Sequence, residues 1–242
     1  MNGAKPGKLS PPIRAVSFDV GGTLIEPWPS VGDIYAQVAA EQGWPGLSVE
    51  TLNRRFAAAW KAHPNFQHQR AQWSALVDAT FRGLIATAPS RSFFSALYER
   101  FEDPGSWRIY EDVVPALEGL KARGFRLAVI SNWDERLRPL LGRLRLENRF
   151  EQIVVSCESG HCKPSPFIFK DAAARLDVPP AALVHIGDSR EHDVEGARGA
   201  GLQALQLVRA REPRGRVASA PAGRDQIESL FALEDMLLTS ND

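Results

Sequence analysis

Short apolar runs recur along the chain and predict buried β-strands. Each run is almost continuously apolar instead of alternating with polar residues, which is typical of a central strand covered on both faces. The first run stops at the letters GGT, which predicts a tight turn directly after the strand. The runs are IRAVSFDV (13–20), RLAVISN (126–132), QIVVS (152–156), ALVHIGD (182–188) and QALQLV (203–208).

The segments between these runs have the spacing of Leu, Ala and Phe that predicts helices. The first of them starts at Asp112, a candidate helix cap, and ends at Gly124. Strands that alternate with helices need crossover connections and build a parallel sheet. We therefore expect an α/β fold with a Rossmann-like, three-layer parallel sheet. The predicted helices of this part cover 112–124, 134–145, 165–177 and 191–200.

The alternation is interrupted over 28–107, where helical spacing continues without a convincing strand. This pattern predicts a helical domain inserted after the first strand, with the core domain on either side at 13–27 and 108–242. Its predicted helices cover 31–42, 48–62, 69–86 and 90–101. Tryptophans are concentrated there, and we expect them to form the packing core of the insertion. They are Trp28, Trp44, Trp60, Trp73 and Trp107.

Composition narrows the choice of partners and location. Lys plus Arg and Asp plus Glu both number 29, so net charge gives no reason to expect nucleic acid or a membrane surface as partner. The Gly-, Pro- and Lys-rich residues 1–12 predict a flexible tail without a signal peptide, and the expected location is cytoplasmic. The last segments predict a flexible basic loop over 209–224 and an amphipathic helix over 225–239.

Polar residues that can carry chemistry occur at four places in the sequence. Each place is the carboxyl end of a predicted strand or the loop that follows it. Because ligands bind at the carboxyl ends of the strands in open α/β sheets, these residues are expected at one site. They lie in FDVGGTL (18–24), ISN (130–132), HCKPSP, which contains Lys163, and GDSREHD (187–193).

Asp19 is the candidate nucleophile of this site. A carboxylate at a strand end followed by glycines can approach phosphorus, and aspartate is a known nucleophile for phosphoryl transfer. Thr23, Ser131, Asn132 and turn amides offer hydrogen-bond donors to the transferred oxygens, and Lys163 offers a positive charge.

Two further carboxylates accompany the candidate nucleophile. Asp188 and Asp19 would provide a pair of oxygen ligands for Mg²⁺. Asp193, five residues later, could orient Asp188, Lys163 or a metal-bound water.

The order and spacing of these residues resemble the haloacid dehalogenase superfamily, which has D-x-D-x-T, then Ser or Thr, then Lys, then G-D-x-x-x-x-D. The matching positions here are Asp19 to Thr23, Ser131, Lys163, and Asp188 with Asp193. The helical insertion resembles the cap of subfamily I members, which closes over the site and determines which substrates enter. SNWD and KPSPFIF also resemble the REG-2-like branch.

The resemblance implies Mg²⁺-dependent hydrolysis of a small phosphorylated metabolite through an aspartyl-phosphate. It implies that Asp19 is the nucleophile and that Ser131 and Lys163 orient and neutralise the transferred group. The metal would bind Asp19, Asp188 and the backbone carbonyl of Gly21. Gly22, Thr23 and Asn132 would contact the substrate.

Gly21 departs from the family pattern, because phosphatases of the superfamily have a second aspartate there. That carboxylate protonates the leaving oxygen and then activates water, and such help is typically worth about 10²–10⁴-fold in rate. The sequence offers Glu26, Asp33 or a residue of the helical insertion as replacement without selecting one.

Several functions remain compatible with Gly21. One is a phosphatase-type hydrolase that is weak or needs good leaving groups. Another is 2-haloacid dehalogenase chemistry, which lacks this aspartate but also lacks the metal-binding carboxylate, so Asp188 argues against it. A third resembles phosphonoacetaldehyde hydrolase, for which Lys61 would form a Schiff base. The last is an inactive protein that binds a phosphorylated ligand or a protein partner, which the retained charged residues oppose. A hydrolase is the prediction.

Overall fold

A computed structural model describes residues 12–64, 66–209, 225–233 and 236–237. Of the predicted tail over 1–12 and the predicted basic loop over 209–224, only Pro12 and Arg209 belong to this part. The remaining residues of both segments lie outside the described residues.

Six strands form one sheet in the order β5-β4-β1-β6-β7-β8, and every neighbouring pair is parallel. This confirms the predicted α/β fold with a parallel sheet. A separate two-stranded sheet pairs β2 with β3. The strands of the described chain are β1 (Ala15–Phe18), β2 (Ile25–Pro27), β3 (Trp107–Ile109), β4 (Arg126–Ser131), β5 (Gln152–Val155), β6 (Leu183–Gly187), β7 (Gln203–Leu207) and β8 (Gln226–Ile227).

Helices connect the strands at most of the predicted places. The segment predicted as one helix over 191–200 is a π-helical turn, Arg190–Glu195, followed by a short α-helix. The α-helices are α1 (Val31–Glu41), α2 (Val49–Lys61), α3 (Arg70–Phe81), α4 (Phe94–Arg100), α5 (Val113–Ala122), α6 (Leu137–Arg143), α7 (Ser156–Ser159), α8 (Pro166–Arg175) and α9 (Gly196–Gly199).

Strand β1 occupies the middle of the sheet, and all four of its residues are buried. It pairs with β4 on one side and with β6 on the other. Such a strand needs apolar side chains on both faces, which is why its sequence does not alternate. Its central position places the residue that follows it, Asp19, between the ends of β4 and β6.

Three strands differ from the prediction because their sequences are too short to show a period. β2 and β3 have three residues each, and Trp107, predicted inside the helical insertion, begins β3. The helix predicted over 225–239 does not begin at 225, because 226–227 form β8 and pair with β7. Backbone pairing of this kind depends on the neighbouring strand and not on local periodicity.

The chain divides into two compact units. The first contains the large sheet and consists of the described residues up to Ile25, of Ile109–Asn132 and of those from Leu146 onward. The second consists of Glu26–Arg108 and Trp133–Arg145. From the sequence alone, the last of these segments is expected in the core domain.

A buried ion pair explains why Trp133–Arg145 packs with the helical unit. The Arg136 guanidinium donates to both carboxylate oxygens of Asp134, at 2.8 and 2.5 Å, and to the Tyr98 carbonyl at 2.8 Å. The indole of Trp73 donates to Asp134 at 2.9 Å. Buried charges must be paired and hydrogen-bonded, so this cluster holds the segment to α3 and α4.

The tryptophans of the insertion contribute unequally to its core. Trp44 and Trp73 pack against buried aromatic and aliphatic side chains of the helical unit. Trp28 and Trp60, however, are 43% and 40% exposed. The prediction that all five tryptophans form the packing core is therefore wrong for Trp28, whereas the Trp60 ring still stacks on Phe56 and Trp73, at centroid distances of 6.2 and 5.7 Å.

Asp112 is a buried carboxylate that joins three segments of the first unit. Arg209 donates to both of its oxygens at 2.8 Å, Ser229 Oγ donates at 2.7 Å and the Leu230 amide at 2.8 Å. Burial alone would raise the pKa of Asp112, but these hydrogen bonds and the Arg209 charge lower it below its ordinary value.

Asp112→Asn should therefore destabilise the protein by about 1–3 kcal/mol at pH 7, because Arg209 loses its charged acceptor. A carboxylate with a depressed native pKa stabilises the fold fully above its unfolded pKa of about 3.9 and loses this contribution as the pH falls through its native pKa. Urea unfolding should show that the difference in free energy of unfolding between Asp112→Asn and wild type is smaller below pH 4 than at pH 7. Glu118→Gln, in an exposed ion pair with Arg149, is the control and should change stability little. Equal stability of Asp112→Asn and wild type at pH 7 would refute the role of Asp112.

Candidate active site

The loop after β1 presents Asp19 at the carboxyl end of the sheet. The Asp19 amide donates to the Ile186 carbonyl of β6 at 2.9 Å, which continues the strand pairing by one residue. Gly22 then turns the chain with a φ of +75°, and its amide donates to the Ile25 carbonyl at 2.8 Å. A glycine is required for this turn because other residues rarely adopt positive φ.

Two donors from different elements reach the same oxygen of Asp19. Ser131 Oγ, at the end of β4, donates to Asp19 Oδ1 at 2.9 Å. Lys163 Nζ donates to that oxygen at 2.7 Å. No donor of the described residues reaches Oδ2. The structure thus brings together three residues that the sequence predicts at one site.

Lys163 is buried between two carboxylates. Its Nζ also donates to Asp193 Oδ1 at 2.5 Å, and only 4% of the residue is exposed. Burial alone would lower the pKa of Lys163, but the charges of Asp19 and Asp193 and their hydrogen bonds raise it well above its ordinary value. The two neighbouring carboxylates therefore favour the ammonium form of Lys163.

Asn132 fixes the backbone that carries this lysine. Its Nδ2 donates to the Lys163 carbonyl at 2.9 Å, and its Oδ1 accepts from the Lys163 amide at 2.7 Å. Both polar atoms of the side chain are engaged with the lysine backbone. In the structure Asn132 fixes the Lys163 loop beside β4, and the substrate contact predicted for it from the sequence stays a prediction.

Asp193 lies in the π-helical turn and accepts donors on both oxygens. Ser189 amide donates to Oδ2 at 2.9 Å, and His185 Nε2 lies 3.1 Å from Oδ1. Burial would raise the pKa of Asp193, but the Lys163 charge and the contact with His185 hold it well below its usual range. The ion pair with Lys163 therefore favours the ionised form of Asp193, which can only accept hydrogen bonds.

Asp188 directly follows β6 and is the exposed member of the carboxylate cluster. Partial loss of hydration, and then the negative charges of Asp19 and Asp193, raise the pKa of Asp188 to about 7. The three carboxylates each offer an oxygen, and these oxygens lie within 4.8 Å of one another. A cation would relieve the repulsion that raises this pKa, and a set of oxygen ligands suits a hard divalent ion. These residues could therefore hold a metal ion.

Thr23 and Gly21, which are also predicted at the site, have backbone partners outside the carboxylate cluster. Thr23 is buried, and its hydroxyl has no hydrogen-bond partner among the described residues. The Thr23 carbonyl accepts two hydrogen bonds from the Arg209 guanidinium, at 3.2 and 2.6 Å. Gly21 forms an isolated bridge with Ile25.

The residues considered as substitutes for the missing aspartate belong to the helical unit and already have partners there. Glu26 accepts from Arg108 Nε at 2.9 Å. Asp33 accepts from Ser30 Oγ at 2.5 Å. Lys61, the residue considered for a Schiff base, is exposed at the end of α2.

Sequence reasoning missed two buried polar residues behind the site, Ser17 and His185. Both interrupt otherwise apolar runs, and this interruption is the signal that could have found them. The parallel register pairs Ser17 directly with His185 across β1 and β6. Ser17 Oγ lies 3.0 Å from His185 Nδ1.

Gly22→Ala tests how closely the Asp19 loop approaches Asp188. An added Cβ would lie 2.5 Å from Asp188 Oδ2, and the positive φ would cost about 1–2 kcal/mol for any other residue. We expect a lower melting temperature and weaker Mg²⁺ binding, measured by thermal unfolding and calorimetry. Gly43→Ala is the control, since its φ is +90° but no atom lies within 4 Å of an added Cβ. Unchanged Mg²⁺ affinity in Gly22→Ala with unchanged stability would contradict this contact.

Comparison with known proteins agrees with the geometry of the site. The model of the haloacid dehalogenase-like hydrolase family matches residues 13–201, which include all the carboxylates described above. The chain belongs to this family. As a member of the haloacid dehalogenase-like family it is a hydrolase.

Relatives of this chain include a protein that is named as a phosphatase. A haloacid dehalogenase-like hydrolase domain-containing protein 3 from Bos taurus is 36% identical over 219 residues, covering 83% of this chain and 84% of the relative. A glyceraldehyde 3-phosphate phosphatase from Methanopyrus kandleri is 39% identical over 115 residues, covering 43% and 47%. A magnesium-bound hydrolase from Bacillus subtilis has the same fold, with a TM-score of 0.75, 19% identity and coverage of 94% and 99%.

Within the described ranges, no helix combines the length and the apolar character that are needed to cross a bilayer.

Proposed function

We propose that this protein hydrolyses a small phosphorylated metabolite through an aspartyl-phosphate on Asp19, with Mg²⁺ as cofactor. One observation carries the proposal. Asp19 Oδ1 is held by Ser131 and Lys163, while Oδ2 receives no donor from the described residues. A carboxylate held in this way is oriented by one oxygen and can attack with the other.

In the first step, Asp19 Oδ2 bonds to phosphorus and the bond between phosphorus and the leaving oxygen breaks. The leaving oxygen takes the bonding electrons. In the second step, water attacks phosphorus, the bond from phosphorus to Asp19 breaks, and phosphate leaves with the released proton in solution. Lys163 and Ser131 balance the negative charge of the transferred group throughout.

The residues present fit a magnesium ion. Asp19 and Asp188 would provide its protein carboxylates, together with the Gly21 carbonyl that the family resemblance implies. Asp193 is engaged by three donors and would orient Lys163 instead. When bound, Mg²⁺ supplies positive charge that offsets the repulsion between the carboxylates and an incoming phosphate.

Gly21 sets the preference among substrates. It carries no acid group, so an alkoxide leaving group must take its proton from water. A carboxylate leaving group, as in an acyl phosphate, needs no proton. We therefore propose that substrates with good leaving groups are hydrolysed faster than alkyl phosphates. The helical unit would act as a REG-2-like cap that selects the metabolite.

Gly21 also favours one competing function, a protein that binds a phosphorylated ligand or a protein partner without turnover. The retained ammonium group of Lys163 between two carboxylates argues against it, since a buried charge cluster is costly to keep for packing alone. Dehalogenation is disfavoured by Asp188, which completes a cation site that this chemistry does not use.

The test is phosphate release from acetyl phosphate, p-nitrophenyl phosphate and a panel of small phosphorylated metabolites, with Mg²⁺ or with EDTA. We expect Mg²⁺-dependent release that is fastest with acetyl phosphate. Failure to release phosphate from every compound would favour the binding protein. Chloride release from 2-chloropropionate in EDTA would establish dehalogenation instead.

A further inference from the structure

A polar chain runs through the core of the first unit, behind the candidate active site. Ser17 Oγ lies 3.0 Å from His185 Nδ1, and His185 Nε2 lies 3.1 Å from Asp193 Oδ1. Asp193 Oδ1 accepts in turn from Lys163 Nζ at 2.5 Å. His185 is completely buried, and the proposed reaction does not use it directly.

The partners of His185 determine which ring nitrogen carries its proton. Asp193 is a carboxylate and can only accept, so Nε2 must be the donor. Nδ1 then accepts from the Ser17 hydroxyl. Burial lowers the pKa of His185, although its contact with Asp193 acts in the opposite direction. His185 is therefore a neutral imidazole with its hydrogen on Nε2, and both nitrogens are satisfied.

The Asp193 carboxylate is fixed on several sides. Oδ1 receives Lys163 and His185, and Oδ2 receives the Ser189 amide. A Cβ added to Gly187 would lie 2.1 Å from Asp193 Cγ, so the carboxylate packs directly on the strand backbone. Of these contacts, His185 supplies the one neutral side-chain donor, and it shares Oδ1 with Lys163.

The His185 ring itself cannot move easily. Ser17 holds its Nδ1 from the neighbouring strand, and the Phe169 ring packs edge-on against it with a centroid distance of 5.2 Å. Because the ring is held on both sides, its Nε2–H has a fixed position. It can therefore orient the Asp193 carboxylate that accepts from it, as the outer partners of catalytic ligands do.

We propose that His185 is a positioning residue, which holds Asp193 so that Lys163 Nζ stays on Asp19. The inference rests on the proposed function, because Lys163 has to meet the phosphoryl group carried by Asp19. His185 itself touches neither substrate nor metal. Without its Nε2–H, Asp193 can rotate and draw the ammonium group away from the nucleophile.

Two amide variants test separately the contact of His185 Nε2 with Asp193 and the contact of Nδ1 with Ser17. In His185→Gln the amide nitrogen can reach the place of Nε2 and still donate to Asp193. In His185→Asn the shorter amide reaches the place of Nδ1 and leaves Asp193 without this donor. Both variants bury an amide of similar chemistry, so each is the matched control of the other.

With acetyl phosphate and Mg²⁺, His185→Asn should lower kcat by about 10–100-fold, the usual effect of losing an outer partner, with KM little changed. His185→Gln should restore most of the turnover. Equal turnover in wild type and both variants would overturn the proposal. Equal losses in both variants at equal melting temperature would also overturn it, because the donor to Asp193 would then be irrelevant.

A readout without turnover distinguishes this inference from the proposed function. In protein labelled with ¹⁵N-lysine, the Lys163 ammonium should give a slowly exchanging signal in wild type and in His185→Gln, and should lose it in His185→Asn. Loss of that signal in a protein that hydrolyses nothing would reject the proposed function and leave the positioning contact standing. An unaltered signal in His185→Asn would reject the contact itself.

Ser17→Ala provides a second route if His185→Asn does not fold. The variant removes the hydroxyl that Nδ1 accepts from and leaves the imidazole in place. In ¹⁵N-histidine spectra the Nε2–H form of His185 should persist, because Asp193 still accepts from it, while kcat should fall several-fold because the ring has lost its partner on the other side. The signal can be assigned readily because the chain contains only five histidines. A wild-type spectrum with the hydrogen on Nδ1 would overturn the proposal.

Discussion

Asp19→Asn is expected to reduce phosphate release by about 10⁴-fold or more, because an amide cannot replace the attacking carboxylate. Asparagine has nearly the same shape, so its side chain can still accept from Ser131 and Lys163 through its oxygen. The loss should therefore appear in kcat and not in folding. Initial rates with acetyl phosphate and Mg²⁺, together with thermal unfolding, measure both quantities.

Asp171→Asn is the matched control for this substitution. Asp171 lies on α8 in an ion pair with Arg175, and the same chemical change there should leave turnover unaltered. If Asp19→Asn retained a tenth or more of wild-type turnover while remaining folded, Asp19 could not be the nucleophile.

Gly21→Asp is expected to raise turnover of alkyl phosphates by about 10²–10⁴-fold, the usual contribution of a general acid and base. The backbone can accept the change, because Gly21 is not among the glycines with positive φ, unlike Gly22 beside it. The new carboxyl group would protonate the leaving oxygen and then remove a proton from water. Acetyl phosphate should gain much less, since acetate leaves without a proton.

Gly21→Asn separates acid–base chemistry from a change of loop shape. The amide adds similar bulk and cannot transfer a proton at neutral pH, so it should give no gain. Parallel kcat measurements on an alkyl phosphate and on acetyl phosphate decide the matter. An equal gain in both variants, or no gain in Gly21→Asp with the fold intact, would contradict the role assigned to this position.

The sheet and the position of the site could be predicted because both depend on local sequence. Continuously apolar runs indicate strands covered on both faces, and parallel strands place their carboxyl ends at one edge. The positions of Asp19, Ser131, Lys163 and Asp193 after these runs therefore predict one common site at that edge. The spacing that resembles the haloacid dehalogenase superfamily agreed, and the family match supports it.

Other features depend on contacts that local sequence does not contain. The pair of Ser17 and His185 exists only because β1 and β6 align in one particular register. The attachment of Trp133–Arg145 to the helical unit depends on the buried pair of Asp134 and Arg136. The two hydrogen bonds between the Asn132 amide and the Lys163 backbone also depend on how these distant segments meet in the fold.

The most direct test of the central claim is chemical trapping of the phosphorylated aspartate. Protein is quenched during turnover of acetyl phosphate with Mg²⁺ and treated with borohydride, which reduces an acyl phosphate to the alcohol and releases phosphate. Peptide mass spectrometry should then find homoserine in place of Asp19, and omission of Mg²⁺ should prevent its formation. Turnover without homoserine at this position, or with the modification at another carboxylate, would contradict the account.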